Sequence, residues 1–233
     1  MKTFKNVFII VSFAIAAFLI FNAQNKQKLK PQMPFLSQEY KNIDESVVVI
    51  KTYNVPNNYV DFDVSYPQFK NASAAFNKKI EDLIVTSAID HQKNAEENWK
   101  ARIETATSDS PVSKFPDEKM SFYTTWEPVQ VNQNIISILI RYGGFSGGAH
   151  GYENLVSFNY NTVTNKEIPL SSLFTNNTKY LASVSEYTRA DLKKQFIKQA
   201  EINTLDGTMT SMLEEGTKPI LSNFSTFAFT PDE

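Results

Sequence analysis

Five of the seven glycines in the chain fall between Gly143 and Gly151, in the run Arg141-Tyr-Gly-Gly-Phe-Ser-Gly-Gly-Ala-His-Gly151. A backbone so poor in Cβ atoms can take positive φ values or press closely against another segment. The run follows a strand-patterned stretch in which Ile136, Ile138, Ile140 and Tyr142 share one face and Ile135, Ser137, Leu139 and Arg141 the other. It precedes a second strand-like stretch, Glu153 to Tyr160. It is not a Walker loop, because no Lys-Ser or Lys-Thr follows. Nor is it a dinucleotide fingerprint, since the spacing differs and a strand rather than a helix comes next. One reading makes His150 a ligand or general base, with Glu153 three residues on and Ser146 as a partner. The other makes the run a bulged or tightly crossed connection in which His150 bonds to backbone, and these residue types favour it. The candidate binding residues are Tyr142, Ser146, Gly147, Gly148, His150 and Glu153. No catalytic residue and no metal ligand is assigned.

Strand and helix signals place this run in an α+β chain. Glu45–Tyr53 is β-branched and reads as a strand, with a turn from Asn54 to Asn58. From Tyr59 to Tyr66 apolar and polar residues alternate, with Val60, Phe62, Val64 and Tyr66 on one face, which predicts a half-buried strand of an antiparallel sheet ended by Pro67. Phe76, Ile80, Ile84, Ala88, Ala95, Trp99 and Ile103 recur at helical spacing, so residues 72–103 predict one long helix, either continuous or broken near His91. His91 itself, among Asp90, Gln92 and Lys93, reads as a solvated helix residue. Thr105–Pro116 is polar and proline-containing and reads as an internal boundary. Met120–Val131 and Asn134–Tyr142 predict a hairpin turning at Asn132-Gln133. Asn161–Asn165 predicts a turn, Ser171–Phe174 a helical turn, and Thr178–Glu201 a second long helix. These segregated elements predict two small subdomains, each of antiparallel sheet plus helix, over residues 31–110 and 111–233.

Charge divides the chain differently. Residues 1–30 carry five Lys and no acid, which leaves 18 basic against 25 acidic residues in the rest, a net of −7. A basic head on an acidic body argues against nucleic-acid binding and for a membrane-directed leader. Lys2 and Lys5 precede the apolar run from Val7 to Phe21, which has the layout of an export signal or an N-terminal anchor helix. Residues 1–30 are therefore expected to be leader and basic linker, meeting the membrane through residues 7–23. The body is expected outside the cytoplasm, either membrane-anchored or secreted.

The chain has no cysteine and only two histidines. Disulfide frameworks, thiolate metal sites and cysteine nucleophiles are thereby excluded. No nucleophile elbow, zincin or EF-hand spacing is present. Asp61 and Asp63 share a strand face, where edge solubility is the expected role. No cofactor is expected.

Several segments together resemble known extracytoplasmic domains. Tyr66-Pro67-Gln68-Phe69, followed by Phe76-Asn77 opening a helix, resembles the small domain that precedes the catalytic domain in PdaC-type peptidoglycan deacetylases. Asn134-Ile-Ile-Ser137, Tyr142, Ser146-Gly-Gly-Ala-His150, Asn159-Tyr160, Lys166-Glu-Ile-Pro-Leu170, Leu173-Phe174, Asn223-Phe224 and Thr230-Pro-Asp232 resemble the following domain of RsiV-type lysozyme-sensing anti-sigma factors. The resemblance spans roughly residues 45–233. Six residues precede the apolar run, so no sigma-binding region is expected, and no deacetylase domain is expected either. Family members continue past the Thr-Pro-Asp stretch with an aromatic strand, so the chain ending at Glu233 reads either as a natural short form or as a truncated one.

The resemblance implies a non-catalytic binding protein of the bacterial envelope, with a lysozyme-like protein or cell-wall glycan as partner. The acidic body suits a basic partner. The alternative is a cell-wall hydrolase or deacetylase-like enzyme using His150 and Glu153.

Overall fold

The computed structural model describes residues 7–8, 43–108, 111–174 and 179–229. They form two compact units, one from Asn42 to Lys166 and one of Glu167–Glu233 with the N-terminal strand β1 (Val7–Phe8). The fold is α+β.

In the larger unit a 3-10 turn at Glu45–Val47 leads into β2 (Val48–Thr52). The chain then forms β3 (Val60–Asp63), β4 (Ser65–Phe69) and helix α1 (Ala74–Glu104). Strands β5 (Met120–Val131), β6 (Ile135–Phe145), β7 (Tyr152–Asn161) and the short β8 (Lys166–Glu167) follow. β2 and β4 make a two-stranded antiparallel ladder, and the main sheet has the order β3-β5-β6-β7-β8.

The alternation expected from Tyr59 to Tyr66 is present in the burial of Val60, Val64 and Tyr66, but not in one strand. β3 pairs in parallel with β5, Val60 opposite Met120, while the next few residues swing into β4 and pair with β2. Pro67 does not end the strand. It sits within β4 opposite Ile50, in a ladder with only one neighbour to satisfy, where proline's missing N–H is tolerated. The second proline in a strand, Pro128, adjoins a register shift that leaves Val129 unmatched between Pro128 and Gln130.

α1 is one unbroken helix of 31 residues, about 46 Å long at 1.5 Å per residue. Ser73 caps it by accepting from the Phe76 N–H and in turn receives the Tyr160 hydroxyl at 2.9 Å. Its stripe Phe76, Ile80, Ile84, Ala88, Ala95 and Trp99 is buried against Phe122, Ile136, Ile138, Ile140 and Phe158 of the sheet. Burial of each large side chain of this set contributes roughly 1.5–3 kcal/mol. Asn77, in the first turn, presents its amide to β4 as a strand would: Oδ1 accepts from the Phe69 N–H at 2.8 Å and Nδ2 donates to the Phe69 carbonyl at 2.9 Å. Gln68 donates back to the Asn77 carbonyl. The Tyr-Pro-Gln-Phe and Phe-Asn segments are thus two halves of one strand-to-helix junction.

The boundary expected at residues 110 and 111 does not divide the structure. The parallel pairing of β3 with β5 joins the two sides of it, and α1 from one side packs on strands from the other.

The smaller unit contains α2 (Tyr180–Gln199), shorter at both ends than the sequence suggests, and α3 (Gly207–Gly216), which the sequence reading did not anticipate. Asp206 caps α3 through the Met209 N–H at 2.8 Å. Leu170, Val184, Phe224 and Phe227 form its core, with Leu173 and Phe174 packed alongside. β9 (Ala228–Phe229) pairs antiparallel with β1. Of the apolar run from Val7 to Phe21 only Val7 and Phe8 lie among the described residues, and Thr230-Pro-Asp232 also lies outside them. Among the described residues no helix is long and apolar enough to cross a membrane.

Candidate functional site: the glycine-rich hairpin

The glycine run is not one loop. β6 continues through Tyr142, Gly143, Gly144 and Phe145, so the connection proper is Ser146–Gly151, and β6 and β7 pair antiparallel on either side of it. A Cβ on Gly143 would lie 2.1 Å from the Tyr152 carbonyl oxygen, and one on Gly144 would lie 2.0 Å from the Ser121 carbonyl oxygen. Glycine is required at both positions because backbone fills the space that a side chain would take. Within the connection Gly147 has φ +89° and Gly148 faces open space.

On the helix side, the hairpin is fastened to α1. His91 is buried, 1% exposed, with its ring 5.1 Å from Phe122 and its Cε1 only 3.0 Å from where a Gly144 Cβ would stand. The Gly144 position thus lies between the Ser121 backbone and an imidazole from the helix. The Tyr152 hydroxyl lies 2.9 Å from His91 Nδ1, and one turn pair further along α1 Asn98 donates to the Ser146 carbonyl at 2.7 Å. The solvated role expected of His91 is therefore corrected. Its polar neighbours in sequence point away, while His91 stands three residues after Ala88 and four before Ala95, inside the buried stripe. Burial depresses the His91 imidazole below the ordinary histidine range, against the opposing effect of the Phe145 and Ser121 carbonyls.

On the opposite face, Tyr123, Gly143 and Glu153 lie in one row across β5, β6 and β7. With no side chain at Gly143, Tyr123 donates its hydroxyl to Glu153 Oε2 at 2.7 Å. Arg141, two residues along β6 on the same face, pairs with Glu153 Oε1, and both side chains are 9% exposed. Burial, and then the Glu153 carboxylate, hold the Tyr123 phenol well above the usual tyrosine range.

The six sequence-derived candidates thus have separate roles. Tyr142 packs partly buried against the core. Ser146, Gly147 and Gly148 form the turn. His150 is exposed, with Nδ1 2.9 Å from the carbonyl of the adjacent Gly151. Glu153 accepts from Arg141 and Tyr123 rather than from His150. His91, Asn98, Tyr123, Arg141 and Tyr152 complete the cluster and were not assigned from sequence. Asp61 is exposed with Lys119 3.6 Å away. Among the described residues no group of three or more His, Asp or Glu is placed to hold a metal ion.

Residues 53–153 match the family described as Deacetylase PdaC. The match crosses the segment between α1 and β5 and ends at Glu153, so it takes in the junction at Asn77 and the glycine-rich hairpin. Comparison with curated proteins gives no match. Among solved structures, a member of the DUF3298 family from Bacteroides fragilis is similar with TM-score 0.41 and 12% identity, over 71% of this chain and 73% of that one. A DUF3298 family protein from Pseudomonas aeruginosa is similar with TM-score 0.34 and 12% identity, over 67% of this chain and 66% of that one.

Proposed function

We propose that the protein is a non-catalytic binding module of the bacterial envelope. On this reading its body lies outside the cytoplasm, held by or released from an N-terminal leader, and recognises a basic lysozyme-like protein or cell-wall glycan. The observation that carries the reading is how the ionisable groups around the glycine-rich hairpin are used. Glu153 is occupied by Arg141 and Tyr123, and His91 is buried against Tyr152. These groups hold the hairpin in place instead of converging on a reacting atom. What the hairpin offers to solvent is a small-residue turn with His150, flanked by Phe145 at 41% and Tyr152 at 39% exposure. Aromatic groups on a fixed hairpin suit recognition of sugar faces or protein surfaces. The excess of acid beyond residue 30 favours a basic protein, whose encounter would be fast at low salt and slowed by screening. Acid–base chemistry by His150 and Glu153 has against it that both Glu153 oxygens already accept hydrogen bonds.

The test is retention of the full chain on immobilised lysozyme and on peptidoglycan, at low and at high salt. Salt-sensitive retention on lysozyme, or retention on peptidoglycan weakened by Phe145→Ala, is the expected result. Absence of retention on both, or peptidoglycan turnover abolished by His150→Ala, would overturn the proposal.

A further inference from the structure

His91 is a buried ionisable side chain at the hairpin with no charged group acting on it. Its ring is 1% exposed, Nδ1 faces the Tyr152 hydroxyl, and Nε2 has no hydrogen-bond partner among the described residues. A neutral imidazole fits this setting, with Tyr152 donating to Nδ1 and the ring proton on Nε2. An imidazolium is disfavoured, because burial withdraws the charge from water and only the Phe145 and Ser121 carbonyls offset it.

The neighbours offer little relief. β5 contributes the Phe122 ring and the Ser121 carbonyl, and β6 the Gly144 backbone and the Phe145 carbonyl. β7 contributes Tyr152, whose phenol is held above its ordinary range first by burial and then by Tyr142 and Asp90. Asp90, the adjacent residue on α1, is exposed and acts on Tyr152. No carboxylate or ammonium is among the groups that act on the His91 ring.

We propose that His91 and Tyr152 form a proton-controlled latch that holds the tip of the β6–β7 hairpin on α1 when His91 is neutral and lets it lift when His91 is charged. The hairpin is the element that yields. On the α1 side it is fastened by the Tyr152–His91 and Asn98–Ser146 bonds, its turn carries Gly147, Gly148 and Gly151, and its far end is anchored by Ile136, Ile138 and Ile140 in the core. Lifting the tip opens the end pairs of the ladder, Phe145 with Ser121 and Tyr152 with Gly144, and admits water to the imidazolium while Ile136, Ile138 and Ile140 stay paired. The latch is independent of what the hairpin binds.

The experiment is NMR on the full chain between about pH 7.5 and 4.5, a window that spans the ordinary histidine pKa and extends below it. His150 is the only other histidine, so a His150→Gln background leaves one imidazole signal to follow. His91 is expected to titrate below the ordinary range of about 6.5. With the same midpoint, protection factors of amides 145–152 are expected to fall by about tenfold or more while those of 136–140 stay unchanged. His91→Phe, which keeps a buried ring without a titrating group, is expected to abolish the pH dependence. His91→Gln serves the same purpose if the phenylalanine variant does not fold. Hairpin protection that persists through the His91 midpoint, or that is lost equally in the non-titrating variant, would overturn the proposal.

Discussion

The Tyr123 hydroxyl reaches across β6 to Glu153 on β7, at 2.7 Å, over the position where Gly143 has no side chain. A glycine in the middle strand of three ordinarily weakens a sheet. Here it opens the path by which a phenol on one neighbouring strand and a carboxylate on the other meet, with Arg141 closing the group. Removing one member should therefore cost more than an exposed ion pair would. Glu153→Gln is expected to lower unfolding free energy by about 3 kcal/mol or more, because Arg141 is left buried without its counter-charge. Arg141→Met combined with Glu153→Leu should recover most of that loss, as read from urea midpoints at constant m.

The glycines of the run should respond differently to the same methyl group. Gly143→Ala and Gly144→Ala press a Cβ against carbonyl oxygens that cannot rotate away, and each is expected to cost about 3 kcal/mol or more. Gly148→Ala, in open space, is expected to stay within about 0.5 kcal/mol. Thermal unfolding of the three variants separates the two classes.

Asn77→Ala removes both hydrogen bonds that tie α1 to the end of β4, and leaves the Phe69 N–H and carbonyl seeking partners. A loss of about 2 kcal/mol is expected, with faster amide exchange at Phe69 as the local readout.

His91 makes the stability of the larger unit pH-dependent with a definite sign. Its folded pKa lies below the unfolded value near 6.5, so the unfolded chain binds the proton first as pH falls. Stability should be fully present above about 6.5 and decline as pH drops from there toward the folded pKa. His91→Phe should flatten this part of the profile of urea midpoint against pH.

The α1 stripe and the β6 alternation were legible because each faces one continuous core, so a single period survives in the sequence. What the sequence concealed lies where two segments share a job. The alternation from Val60 to Tyr66 is unbroken although the chain leaves one sheet and enters another, since both sheets lie on the same apolar interior. His91 was hidden by polar neighbours, although its place between Ala88 and Ala95 was a signal. The partnership of Arg141 with Glu153 depends on strand register, which a short glycine-rich turn does not reveal by itself. α3 was missed because it is only ten residues long and begins and ends in glycine, a poor helix former, even with Asp206 as its cap.

The stretch from Thr105 to Glu118 is mostly exposed among its described residues, yet the strands on its two sides are hydrogen-bonded to each other as β3 and β5. A protease that opened the chain there would cut the covalent thread without releasing either product. One fragment would keep α1 and the other the strands on which its apolar stripe rests, so neither could hide its greasy surface alone. The larger unit is in this sense a natural pair of complementing halves, and co-expressing them as separate polypeptides should regenerate the intact assembly.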